Sequence, residues 1–204
     1  MKKVPFRDAH PGALRRYLVL FFLIPLGYLF HVCVFAYFSV GGVSPNLLYA
    51  VIGIITVAYG RLQALWAGLI YGLLLEILLP SAPYLSLAVY PISSLFVSFV
   101  FADKSLRQLQ MDRTLDRKKR DVPAWLRTIL CAMVNVTVYE TVNVMYIYLG
   151  GTDLTALHFR RALTDVLLTG ALTAAVQFFI RPLILGRKVR QPELKNQPIV
   201  FERK

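Results

Sequence analysis

Apolar residues in this chain gather into long blocks, neither alternating nor recurring on one narrow stripe. Six blocks, at 18–40, 45–60, 62–79, 84–102, 126–149 and 162–185, are nearly free of charge, and polar or basic stretches separate them. Crossing about 30 Å of hydrocarbon as a helix takes roughly 20 apolar residues, with a range of about 17–25. The blocks therefore predict six transmembrane helices. The second and third are short and parted only by Gly60 and Arg61; the glycine can take the turn and the arginine can extend to the headgroups. The expected fold class is an all-α integral membrane protein, a six-transmembrane-helix bundle over residues 18–186. Around it lie a basic N-terminus at 1–17, a charged loop at 103–123 and a basic tail at 187–204. The basic start and first block imitate a secretion signal, but the apolar run is too long and more blocks follow, so it reads as a retained helix.

Composition agrees with this class. Of the 204 residues 57% are hydrophobic, against about 45–50% in ordinary soluble domains, and the mean hydropathy is +0.57. Yet the net charge is +12, from 23 Lys/Arg against 11 Asp/Glu. With six helices in alternation, the N-terminus, the second and fourth connections and the C-terminus share one side. Counting Arg127 with the fourth connection and Arg181 with the C-terminus, they carry 5, 1, 8 and 7 basic residues, whereas the other side carries only Arg160 and Arg161. Cytoplasmic segments are the basic ones, so both termini are expected in the cytoplasm. The charge excess then orients the bundle, and no nucleic acid is needed to explain it. The 103–123 loop, ending in Arg117, Lys118, Lys119 and Arg120, would either rest on anionic lipid headgroups or dock a cytoplasmic partner.

Inside a bilayer, small residues and hydrogen bonds drive helix association, because lipid is as apolar as leucine. Four blocks carry such residues at a four-residue step: Ala64, Gly68, Gly72 and Glu76; Ser86, Tyr90, Ser94 and Ser98; Asn135, Tyr139 and Asn143; Arg161, Asp165, Thr169, Thr173 and Gln177. Four residues turn a helix about 40° past a full circle, so each series keeps to one side for about three turns. Ala64, Gly68, Gly72, Ser94 and Ser98 are candidates for close packing, within the bundle or against a partner's helix. Carboxylates in hydrocarbon are costly and normally face the bundle interior or water. Glu76, Glu140 and Asp165, with His31, Asn135, Asn143 and Arg161, form a candidate intramembrane polar cluster opening toward the extracytoplasmic side. Glu76 and Asp165 could instead be solvated at helix ends, Asp165 pairing with Arg161 one turn away, and His31 could be a satisfied core histidine.

Phosphate-binding glycine loops, His-Glu-x-x-His and Gly-x-Ser-x-Gly are all missing from the sequence. Cys33 and Cys131 fall in separate blocks and read as small apolar core residues rather than a disulfide or metal pair. No catalytic residue, metal or cofactor is expected.

One stretch carries a resemblance. Ser44-Pro45-Asn46-Leu47-Leu48 opens the second block, followed by Gly60-Arg61, by Ala67-Gly68-Leu69-Ile70-Tyr71-Gly72-Leu73-Leu74-Leu75-Glu76, and by Tyr84-Leu85-Ser86-Leu87-Ala88-Val89-Tyr90. This resembles the rod shape-determining protein MreD family, with Glu76 standing where that family usually has aspartate. The close of the last block, Phe178-Phe179-Ile180-Arg181-Pro182-Leu183, is similar too, and the likeness covers roughly residues 43–187. It implies a non-enzymatic subunit of the bacterial cell-elongation machinery, multi-pass in the cytoplasmic membrane. Implied partners are MreC and, in a larger complex, RodA, its class B transpeptidase partner and MreB, alongside membrane lipids. The substrate-binding subunits of energy-coupling-factor vitamin transporters are similar in architecture and give the alternative. There the outer polar cluster would be a ligand pocket.

Overall fold

A computed structural model of the chain describes residues 13–78, 84–102 and 122–185. The basic N-terminus before residue 13, nearly all of the charged 103–123 loop and the basic tail lie outside the described residues. Within them the chain forms six α-helices: α1 (Ala13–Cys33), α2 (Leu47–Tyr59), α3 (Arg61–Leu78), α4 (Leu85–Phe101), α5 (Ala124–Leu149) and α6 (Ala156–Leu185). A single 3-10 turn, Phe35–Tyr37, follows α1. Three helices are long and apolar enough to cross a membrane: α3, α5 and the Ala156–Ile180 part of α6.

α2 departs most from a membrane span of ordinary length. At 13 residues it reaches only about 20 Å at 1.5 Å per residue. Every residue from Leu47 to Val57 is buried, and all five other helices pack on it. A helix that is hydrophobic on every side belongs in a core. Here that core is the middle of the bundle. Its start follows from one side chain: Asn46 Oδ1 accepts from the amides of Leu48 and Tyr49, at 3.2 and 3.4 Å, satisfying donors that a helix start leaves unpaired. Its end is set by Gly60, whose φ of +94° suits glycine alone. α3 begins at the next residue, and the Arg61 guanidinium sits 4.4 Å from the centre of the Phe99 ring.

α3 and α4 share the most extensive interhelical contact, and Gly68 and Gly72 are its cause. A Cβ at Gly68 would stand 2.7 Å from the Tyr90 carbonyl oxygen, and one at Gly72 equally close to that of Ser86. The two backbones touch there.

Two helix boundaries differ from the hydropathy blocks. The first block runs to residue 40, but α1 stops at Cys33. Gly41 and Gly42 take φ of +63° and +77° and fold the chain into a two-residue turn that pairs Val40 with Val43 through hydrogen bonds of 2.9 and 3.2 Å. The last block starts at 162, but α6 starts at Ala156. His158 Nδ1 accepts from the Thr155 amide at 3.2 Å, while the His158 amide donates to the Thr155 carbonyl at 3.0 Å. The His158 ring thereby satisfies an amide at the point where the helix begins.

Burial is inverted relative to a soluble bundle. Along α6, Thr169 and Thr173 are fully buried while Leu167 and Phe179 are 57% and 81% exposed. The same arrangement holds on α4, with Ser94 and Ser98 inside and Phe96 and Phe99 outside. The hydroxyls donate to carbonyls of their own helix, Ser94 to Pro91, Ser98 to Leu95 and Thr173 to Thr169. Polar groups thereby enter the interior already hydrogen-bonded, and an apolar exterior faces lipid.

Candidate functional site

One end of the bundle gathers the start of α2, the end of α1, the second half of α5 and the first turns of α6. Between them lies an open cavity of about 330 Å³. α1 contributes His31, the segment before α2 contributes Ser44 and Asn46, α5 contributes Glu140 and Asn143, and α6 contributes Arg161 and Asp165. Glu140 and Asn143 are three residues apart and Arg161 and Asp165 four, so each pair presents to one side of its helix. The carboxyl groups of Glu140 and Asp165 approach each other across the α5–α6 contact.

The inner wall is a continuous hydrogen-bonded frame. Asp165 Oδ1 accepts from Thr169 Oγ1 at 3.0 Å, and that same oxygen of Thr169 accepts from the Asn46 amide at 2.9 Å. Asn46 Nδ2 donates to the Tyr90 hydroxyl at 3.0 Å. Beneath, the rings of Tyr49 and Tyr90 stack at 4.3 Å between centroids, and Tyr139 meets both at 5.8 and 5.7 Å. Four helices are tied together through Asn46 and its neighbours. Asp165 accepts from Thr169, lies beside the Glu140 carboxyl and is 7% exposed, whereas Arg161 is exposed.

Of the seven residues expected in a polar cluster, five line this cavity: His31, Glu140, Asn143, Arg161 and Asp165. Glu76 and Asn135 do not. Glu76 Oε1 accepts from the Tyr84 amide at 2.7 Å, holding the start of α4, where Tyr84 has a left-handed φ of 61°. Asn135 stands eight residues, or about 12 Å, below Asn143, fully buried, its amide donating to the Cys131 carbonyl at 2.9 Å. A shared helical face does not mean a shared depth. Asn46 belongs to none of the charged or small-residue series. Its signal was an asparagine after proline at the head of an apolar run, a helix-start pattern.

Ala64, Gly68, Gly72, Ser94 and Ser98 are all buried, and Gly68 and Gly72 lie against α4 of the same chain. Buried within the bundle, they are not open to the helix of another protein. Among the described residues no group of three His, Cys, Asp or Glu side chains is placed to hold a metal. No protein-family model matches this chain, and no curated protein matches it either.

Proposed function

We propose that the chain is a non-enzymatic scaffold subunit of the bacterial cell-elongation complex, in the cytoplasmic membrane with both termini on the cytoplasmic side. In this reading it is a six-span MreD-type protein that binds MreC and helps organise RodA, its class B transpeptidase partner and MreB for side-wall peptidoglycan synthesis. The observation that carries the reading is the coincidence of the resembling stretch, Ser44 to Tyr90, with one folded unit. Asn46 opens α2, Gly60 turns it into α3, and Gly68 and Gly72 seat α3 on α4. The segments that look alike are thus the ones that set the helix geometry. The 21-to-2 division of basic residues supports the orientation. With the small-residue faces used inside the chain, the exposed apolar faces of the outer helices, those of α1, α3, α4, α5 and α6, are the ones left for a partner's transmembrane helix.

The polar cavity favours a second reading, the substrate-binding subunit of an energy-coupling-factor transporter, in which it would hold the vitamin. Affinity purification of the full chain from native membranes in mild detergent separates the two. MreC in the eluate supports the scaffold; an ATPase module and a bound vitamin support the transporter.

A further inference from the structure

We infer that the α3–α4 hairpin thins the bilayer along one flank of the protein, making that flank an interaction surface for phospholipids with short acyl chains. Two contacts brace the hairpin, and each holds a charged group at one of its ends. The Arg61 guanidinium of α3 sits 4.4 Å from the centre of the Phe99 ring of α4. Glu76 Oε1, near the far end of α3, accepts from the Tyr84 amide at 2.7 Å. Arg61 and Glu76 are fifteen residues apart on one limb, and Tyr84 and Phe99 are fifteen apart on the other. At 1.5 Å per residue both limbs set the two contacts about 22 Å apart, and helix tilt only lessens that depth. The hydrocarbon layer to be crossed is about 30 Å thick.

Charged side chains usually close such a gap by extending to the headgroups. Both are held here, Arg61 turned sideways onto α4 and Glu76 bound to the start of that helix. Between them α3 presents Leu62, Trp66, Leu69 and Leu73, all exposed. Its 18 residues reach the length of a span only with both charges counted in. A charge drawn into hydrocarbon is costly, whereas thinning the lipid is a modest cost per ångström, so the lipid yields. α5 is under no such limit. Its exposed rings Trp125 and Tyr148, of the kind that mark the two headgroup layers, stand twenty-three residues apart, about 34 Å along the helix. Lipid against α3 and α4 is therefore shorter than lipid against α5, and short acyl chains fill the thin flank without compression. The surface rests on the bundle crossing a membrane and is independent of the choice between scaffold and transporter.

Tryptophan quenching by brominated lipid tests it in the full chain, one flank at a time. Trp125→Phe leaves Trp66 as the reporter on α3. Val134→Trp, in a Trp66→Phe/Trp125→Phe background, places a reporter at an exposed position on α5. Each variant is reconstituted in brominated dioleoyl phosphatidylcholine, which quenches tryptophan on contact, mixed with unbrominated dimyristoleoyl or dierucoyl phosphatidylcholine. At Trp66 the short myristoleoyl lipid should relieve quenching about threefold more effectively than the long erucoyl lipid. At position 134 the short lipid should have no advantage. The same chain-length order at both positions, or no short-chain advantage at Trp66, would overturn the surface. So would a Trp66 that no lipid quenches, which would show a second copy of the chain covering this face.

Discussion

Asn46 and Tyr90 are joined by a 3.0 Å hydrogen bond from the asparagine amide to the tyrosine hydroxyl, and through it the start of the central helix is fastened to α4. Asn46→Ala removes both the cap and this bond. Cap loss costs about 1 kcal/mol, and an orphaned buried hydroxyl about 1–3 kcal/mol. Thermal unfolding in detergent should rank wild type above Asn46→Ser, which keeps only the cap, and that variant above Asn46→Ala. Equal melting of Asn46→Ala and wild type would remove the frame from the explanation of the fold.

Gly68 and Gly72 should tolerate nothing larger. A Gly68→Ala methyl would meet the Tyr90 carbonyl at 2.7 Å and Pro91 Cα at 3.0 Å, both backbone atoms that cannot swing aside. Overpacking of this kind costs about 1–3 kcal/mol. Ala171→Leu, on the exposed face of α6, should melt within a degree or two of wild type, so the pair of variants separates backbone contact from added bulk.

Glu76 acts on the α3–α4 connection. Glu76→Leu leaves the Tyr84 amide without its 2.7 Å acceptor, at about 1 kcal/mol for a bond at an exposed position. Tyr84 pays a further conformational cost, being non-glycine at φ of 61°. Tyr84→Gly should therefore return part of the stability that Glu76→Leu loses. Melting temperatures of the two single variants and the double variant check this, and no recovery in the double variant would count against the capping role.

His158 sets where α6 begins. Its ring accepts from the Thr155 amide, so His158→Ala should fray the first turn while leaving the rest of the helix intact. Hydrogen–deuterium exchange should speed up at residues 155–160 and stay unchanged beyond Asp165. Uniform exchange across the helix would show the ring to be idle.

Much of this architecture could be read from the chain because a bilayer imposes long apolar blocks and leaves polar residues only one place to go. The four-residue series on α4 and α6 are the buried faces of those helices, as Ser94, Ser98, Thr169 and Thr173 show. Five of the seven polar-cluster residues meet at one cavity, because helix phase and approximate depth both follow from position in a block. Hydropathy could not show that α2 is a short buried hub, since burial in protein and burial in lipid select the same side chains. Nor could it separate the chain's own α3–α4 packing from a partner's docking face: Gly68 and Gly72 look the same in either role. Asn135 shares helix phase with the cluster and Glu76 shares its end of the bundle, but each has a local partner elsewhere, the Cys131 carbonyl for Asn135 and the Tyr84 amide for Glu76.

The proposed scaffold role is tested most directly by in-membrane photocrosslinking with benzoylphenylalanine placed, one at a time, at the exposed positions Phe21, Phe96 and Phe179. The expected result is an MreC adduct, identified by mass spectrometry, from at least one of the three. Adducts with the membrane subunit of an ATPase module, or lipid adducts alone at all three, would contradict the scaffold reading.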